Sequence, residues 1–438
     1  VAEIQMKKIF RSLLISLALL SAFRPMTAHA AEALTWEECV REASLKNPDL
    51  FAASANLRST SYLAKGARSD FFPQLTANFG YGYGNTTSTI STTSGSSTNL
   101  VSVSGTSSTY SASVSATQNL FNGFEDKGGV QQAKANQAAA KANLDIVKAK
   151  VSFDLHTAFS ALVYAQNSLH LSQDIVRRRK ENLDMIQLRY ENGSENKGSF
   201  LLSKAYLENA RYEELQAEDN IRVAQVQMAK VLGRDNSNIF IAGDVPLSEP
   251  PVATTRLNGN ITPEYAQAAA QKQAAKAGVT IARGPFFPNL DVVGTAGAQD
   301  NEWIPGGGRW SVQGQFSWLL FNGGANYYAT KSAAASLAAA NSTQESVRLQ
   351  TTQKLEQALA AFIESIQKVK ADQSFVEAST VREEIAKRRY ENGLLSFEDW
   401  DIIQNDLIER LKQALLSQRD RVVSQAAWEQ AQGKGVFQ

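Results

Sequence analysis

His29, His156 and His170 are the chain's three histidines, and Cys39 is its one cysteine. Such side chains could hold a metal, move protons or act as nucleophiles, but their setting supports none of that chemistry. His156 and His170 lie along one Ala- and Gln-rich stretch without zinc-ligand spacing. No phosphate-binding glycine loop, nucleophile elbow or H-E-x-x-H run accompanies them. A single cysteine leaves no disulfide within the chain, and Cys39, inside TWEECVREASLKNPDL, reads as a small buried hydrophobe. Catalytic, cofactor-binding and metal sites are therefore expected to be none. The net charge of +1 gives no basic surface, so no nucleic acid is expected as a partner.

The charged and aromatic residues that stand out come as a repeated set. RYENG occurs at Arg189 to Gly193 and again at Arg389 to Gly393, 200 residues later. LFNG occurs at Leu120 to Gly123 and at Leu320 to Gly323, the same interval. FFPQL at Phe71 and FFPNL at Phe286 keep the order at an interval of 215. The chain reads as an internal duplication.

The elements that position these motifs follow from periodicity. Trp36 to Arg68 reads as helix interrupted at Asn47-Pro48, and each FFP ends helix because proline lacks a donor and restricts its predecessor. Leu75, Ala77, Phe79, Tyr81 and Tyr83 then alternate with small or polar residues, the period of a strand. A Ser/Thr-rich loop is expected from Asn85 to about Asn99, before alternation resumes through Tyr110 to Thr117. The second half repeats this hairpin over Leu290 to Ala296 and Trp310 to Trp318.

From LFNG to RYENG the spacing is 69 in both halves, without proline. Leu155, Leu162, Leu169, Val176, Leu183 and Tyr190 step by seven, as do Leu355, Phe362, Val369, Val376 and Tyr390, with a break at Glu383. A sustained heptad predicts coiled helices, rods of roughly 100 Å at ~1.5 Å per residue. At RYENG the rods stop. Gly193 and Gly393 suit the left-handed turn that closes a helix. Ser199-Phe200 and Ser396-Phe397 read as caps of return helices running to about Gly233 and Gly433, and Ser396 with Asp399 matches a capping box. Four of the ten prolines fall between Gly233 and Pro263, a linker partly ordered by Ile239 to Ile241.

The N-terminus has the pattern of an export signal. Lys7, Lys8 and Arg11 precede the short apolar run Leu13 to Leu20, and Ala28-His29-Ala30 gives an A-x-A cleavage site, with translation expected to start at Met6. No lipid-accepting cysteine follows that site, where Ala31 stands. Four exported strands with one apolar or aromatic face and one Ser/Gly-rich face resemble membrane β-strands, the alternative being a soluble sandwich, whose strands also alternate. Four strands cannot close a barrel, and open edges in lipid leave backbone groups unsatisfied, so several copies must share one.

LTWEECVREASLKNPDL, the paired FFP and LFNG junctions and the paired YENG tips resemble the TolC-like outer membrane factor (outer membrane efflux protein) family, from about Leu34 to Gly433. The resemblance implies a homotrimer: a trimeric 12-stranded β-barrel, three copies of four strands, continuing into an α-helical barrel. It implies the outer membrane channel of a tripartite efflux or type I secretion system, passively conducting drugs, metals or proteins. The implied partners are an inner-membrane pump and a periplasmic adaptor (membrane fusion) protein. It places Gly193, Gly393 and Leu394 on the adaptor-docking tips, and Tyr390 and Asp399 at the periplasmic gate. The sequence departs from the family pattern at Ile402 and Leu395, where members can carry an acid and an arginine. It also departs at the first tip, where SENKGSF has three residues more than LLSF.

The expected fold is thus mixed α and β, a duplicated unit of a membrane β-hairpin plus a long antiparallel α-helical hairpin. The expected divisions are a signal peptide (1–30), a first repeat (31–240), a linker (241–263) and a second repeat (264–438). The alternative is a soluble periplasmic coiled-coil adaptor or structural spacer protein. Fractionation separates the two readings: the chain should sediment with outer membranes and need detergent for release. Recovery in the soluble periplasm would favour the spacer.

Overall fold

The computed structural model of the chain describes residues 32–94, 97–250, 258–303 and 305–437. The expected signal peptide and residues 251–257 of the expected linker lie outside these. The chain forms two compact units, each assembled from separate stretches. One comprises residues through Ala43 with Ala158–Pro246 and Ser379–Leu415. The other comprises Ser44–Thr157, Leu247–Ala378 and Leu416–Gln438.

In the first unit, β1 (Glu32–Leu34) pairs in parallel with β4 (Ile239–Ile241), so the apolar triplet in the linker becomes a strand. Helix α1 (Trp36–Lys46) begins at a capping box, with the Thr35 amide donating to Glu38 Oε2 at 2.9 Å. Its Trp36 meets Phe159 edge-to-face at 5.2 Å, and Cys39 beside it is fully buried. Burial pushes that thiol up to about 12, so the native cysteine is inert, as a small hydrophobe should be. Arg234 forms a buried ion pair with Glu42. Asn47 and α2 (Pro48–Gly66) belong to the second unit; Asn47 caps α2, accepting from the Asp49 amide at 3.0 Å, which accounts for the interruption at Asn47-Pro48.

The second unit holds an antiparallel sheet in the order β2-β3-β5-β6: β2 (Gln74–Ser94), β3 (Ser97–Asn122), β5 (Asn289–Asp300) and β6 (Gly308–Ser317). A single 3-10 turn, Ser69–Phe71 or Gly284–Phe286, ends at the first Phe of each FFP, before its strand. Register carries the alternation across the sheet. Val114, Ala296 and Trp310 form one row of the apolar face, while Ser115, Thr295 and Ser311 form one of the polar face. The apolar face is uncovered, with Phe79 83% and Trp310 81% exposed. Among the described residues no helix is long and apolar enough to cross a membrane.

The described residues of the expected Ser/Thr loop, 85–94 and 97–99, are instead strand. Pairing continues without a break from Gln74↔Thr117 to Ser94↔Ser97, although β3 pairs with β5 only from Tyr110 onward. Before Tyr110, where β3 has no partner but β2, the first hairpin is therefore a two-stranded ribbon. Small polar residues with frequent β-branched threonines tolerate extended backbone well, so polarity there signals solvent, not irregularity.

Helices α3 (Glu125–Glu191) and α6 (Ala325–Glu391) are unbroken and each has 67 residues. At the start of α3, Gly123 has φ +67, and a Cβ on it would meet the Gly284 carbonyl oxygen at 2.3 Å. The LFNG glycine thus permits close backbone approach. Along α3 the heptad row is joined by Ala158, Ala165, Ser172, Arg179 and Ile186, all buried and three residues further on. The two rows make the a and d positions of a coiled-coil seam. Along α6, Leu355, Phe362, Val369 and Tyr390 are buried, and so is Glu383, so the apparent break is a polar residue in a seam position. Return helices α4 (Lys197–Leu232) and α7 (Phe397–Ala431) end before Gly233 and Gly433, both left-handed, and α5 (Pro263–Arg283) precedes β5.

The ribbon register is directly testable. Thr89→Cys with Ser102→Cys, which are paired, should form an intramolecular disulfide under mild oxidation. Thr89→Cys with Ser104→Cys, two positions off register, should not. Equal yields would mean that the segment is a loop.

Candidate functional site at the two helical tips

Helix α3 stops at Glu191 and α4 starts at Lys197, while α6 stops at Glu391 and α7 starts at Phe397. Both tip loops are thus five residues, 192–196 and 392–396. The three additional residues expected in the first tip are absorbed as helix. Asn196, not Ser199, is the cap there, accepting from the Ser199 amide at 2.9 Å. Asparagine caps as well as serine, so the first turn begins three residues earlier.

Termination is the same at both tips. The Gly193 and Gly393 amides donate to Tyr190 and Tyr390 carbonyls at 3.0 and 2.9 Å. The next amides, Ser194 and Leu394, reach Arg189 and Arg389 carbonyls at 2.8 Å each. This pair of bonds is the Schellman closure, which needs positive φ at the glycine, and φ is +70 at Gly193 and +71 at Gly393. Leu394 is 69% exposed on the outside of its turn.

Side chains break the symmetry. Tyr190 is partly exposed and stacks on Phe200 at 5.5 Å, whereas Tyr390 is 2% exposed and stacks on Trp400 at 4.6 Å. Tyr390 lies in an apolar cluster with Ile186, Ala386, Phe397 and Trp400, against which Leu395 packs. The Arg189 guanidinium sits 4.6 Å from the Tyr390 ring centre and donates to the Tyr390 carbonyl at 2.7 Å. The Tyr390 hydroxyl donates to Glu195 Oε2 at 2.8 Å, and Glu195 Oε1 accepts from the Asn196 amide at 3.0 Å. One loop of the first hairpin thereby holds the last turn of α6.

Partial burial raises the Glu195 pKa, but the Asn196 amide, Tyr390, Ser199 and Arg189 outweigh it, and the net shift is downward. The contact is therefore complete above the ordinary carboxylate range and lost as pH falls through the lowered value. Burial first, and then the Glu195 bond and charge, push the Tyr390 phenol up. Asp399 stands outside this contact. It is exposed and accepts from the Ser396 hydroxyl at 2.8 Å, while its amide donates to Ser396 Oγ at 3.1 Å, which caps the start of α7.

The outer membrane efflux protein family matches this sequence over residues 39–234 and 261–434. The chain belongs to that family. No curated protein matches it. Its fold is similar to those of several solved outer membrane channels. VceC of Vibrio cholerae is 19% identical over 92% of this chain and 96% of its own, with a TM-score of 0.76. CmeC of Campylobacter jejuni is 16% identical over 91% and 85%, with a TM-score of 0.79. MtrE of Neisseria gonorrhoeae, in its open state, is 20% identical over 92% and 90%, with a TM-score of 0.74. At these identities the likeness is one of fold. Membership places the efflux protein in the outer membrane.

A second connection in this efflux protein had no counterpart in the sequence reading. Arg179 of α3 donates to Gln404 Oε1 at 2.6 Å and to Asn405 Oδ1, and lies 3.7 Å from Asp401 Oδ1. Its guanidinium is 4.6 Å from the Tyr206 ring centre, and the Tyr206 hydroxyl donates to Asp401 Oδ2 at 3.0 Å. Arg179, Asp401 and Gln404 are all buried. Burial lowers the Arg179 pKa against the opposing pull of Asp401. Beside this network, Glu383 lines a cavity of about 470 Å³ with Arg177, Arg178, Glu181, Asn182, Lys387 and Gln404; three cations against two carboxylates make a polar lining in which a seam carboxylate is accommodated.

Tyr390→Phe keeps the ring stack and deletes the bond to Glu195. Amide exchange over residues 192–196 should then accelerate about tenfold, the worth of one charge-assisted hydrogen bond. Unchanged protection would show that this bond does not hold the loop.

Proposed function

We propose that the chain is the outer membrane channel of a tripartite efflux or type I secretion system. In this reading two repeats, each a membrane β-hairpin plus a helical hairpin, make one protomer, and three protomers close a 12-stranded barrel that continues into a helical barrel. The free edges of β2 and β6 support the assembly, because an open edge is not viable in lipid. Conduction is passive, driven by an inner-membrane pump through a periplasmic adaptor.

The observation that carries the reading is the pair of tips. Two loops of equal length present left-handed glycines, and the second adds the uncovered Leu394, a surface suited to adaptor helices. Between the hairpins lie bonds that a closed entrance would need and an open one would release: Tyr390 with Glu195, and Arg179 with Asp401. Tyr390 is the closing residue. Asp399, exposed in the first turn after the tip, adds a carboxylate to the entrance while accepting from the Ser396 hydroxyl.

Gly393→Trp strains the left-handed turn, and its Cβ enters open space, with nothing within 4 Å. Cells carrying it should lose export and adaptor crosslinking while retaining wild-type trimers on native gels. Normal export with normal crosslinking would remove the tip from the docking surface.

A further inference from the structure

The lumen wall implied by the proposed barrel carries very little charge. No charged residue occurs from Phe71 to Phe124, a run of 54 residues that includes all of β2 and β3. The four sheet strands together hold three: Asp291, Asp300 and Arg309. Asp300 serves the turn after β5, accepting from the Asn301 and Gly306 amides at 2.7 and 3.3 Å. Asp291 and Arg309 remain.

Register puts both on the polar face. Asp291 pairs with Asn119 on one side and Gln315 on the other. Arg309 pairs with Gly297, whose other neighbour is Ser113. The intervening rows on this face are Ser115, Thr295 and Ser311, and Thr117, Val293 and Gln313. Neither charge makes a side-chain hydrogen bond or ion pair with the described residues. Next to Arg309, glycine and serine leave its guanidinium uncovered, and the residue is exposed. The two charges are six residues apart in register, about 20 Å at ~3.3 Å per residue. Asp291 lies at the end of the sheet that leads into α3 and α6, and Arg309 lies beside the β5–β6 turn.

We propose that Arg309 is a specificity-determining residue of the exit: three copies form a cationic ring at the outer mouth, with an Asp291 ring at the inner end of the same lumen. This rests on the trimeric barrel proposed above. Between the two rings the wall is Ser, Thr, Gln and Gly apart from Val293, and these uncharged groups meet cargo of either sign without selecting it. The two rings are separated by more than the Debye length of ~8 Å at physiological salt, so each acts on passing ions on its own. Anionic and zwitterionic solutes are favoured at the mouth, and cationic ones at the inner end.

The test is the reversal potential of the purified protein in planar bilayers under a KCl gradient. Arg309→Glu should lower the anion-to-cation permeability ratio by at least about twofold, a shift that shrinks in high salt through screening. Asp291→Asn should move the ratio in the opposite direction. An unchanged reversal potential in Arg309→Glu, with normal conductance, would overturn the proposal and place Arg309 against lipid phosphates; the channel reading would stand. Absence of conductance from the wild-type protein would overturn the channel reading itself, and this inference with it.

Discussion

A helix of 67 residues transmits every change in its length as rotation. Each residue turns the chain by about 100°, so one insertion would carry all later side chains off their seam. Both α3 and α6 have this length, and both end in the same glycine closure. The contacts at the tips depend on that phase. Tyr390 enters its apolar cluster only because its position on α6 faces inward, and Arg179 reaches Asp401 only from a seam position. The strands tolerate more: the first hairpin is far longer than the second, since a hairpin grows at its turn without disturbing what lies below it.

Much of this was legible in the sequence because it is periodic or local. The seven-residue step, the alternation of Leu75 to Tyr83 and the closing glycines each express a rule that acts within a few residues. Three features were not legible, for different physical reasons. The Ser/Thr ribbon hides because strand and loop share a composition when both faces meet water. The cap at Asn196 hides because two capping residues, Asn196 and Ser199, stand three apart, and only the tertiary setting chooses. The Arg179 network hides because its members come from residues 179, 206, 401, 404 and 405, and no local pattern joins them. Glu383 combines the last two cases, a polar residue that looks like a break in the heptad until its cavity is known.

Polar groups inside the first unit are arranged as connections more than as ballast. Buried ion pairs seldom repay their desolvation, so apolar side chains of similar volume in place of the Arg179 cluster would leave a static bundle as stable or more so. Tyr390 and Glu195 follow the same logic at the tip, with one hydrogen bond across two hairpins and a pKa lowered by its partners. Such contacts have directional geometry, so a small displacement ends them, whereas an apolar seam slides and repacks.

The equality of the two tip loops has a further meaning. Letters pair Phe200 with Phe397, yet counting from each glycine pairs Phe200 with Trp400 and Glu195 with Leu395. The loops are interchangeable as backbone and distinct as surface: one offers the Glu195 carboxylate, the other Leu394 and Leu395. A chain built this way carries two modules of one shape, and exchanging five residues would move a chemical identity between them without asking the fold for anything new.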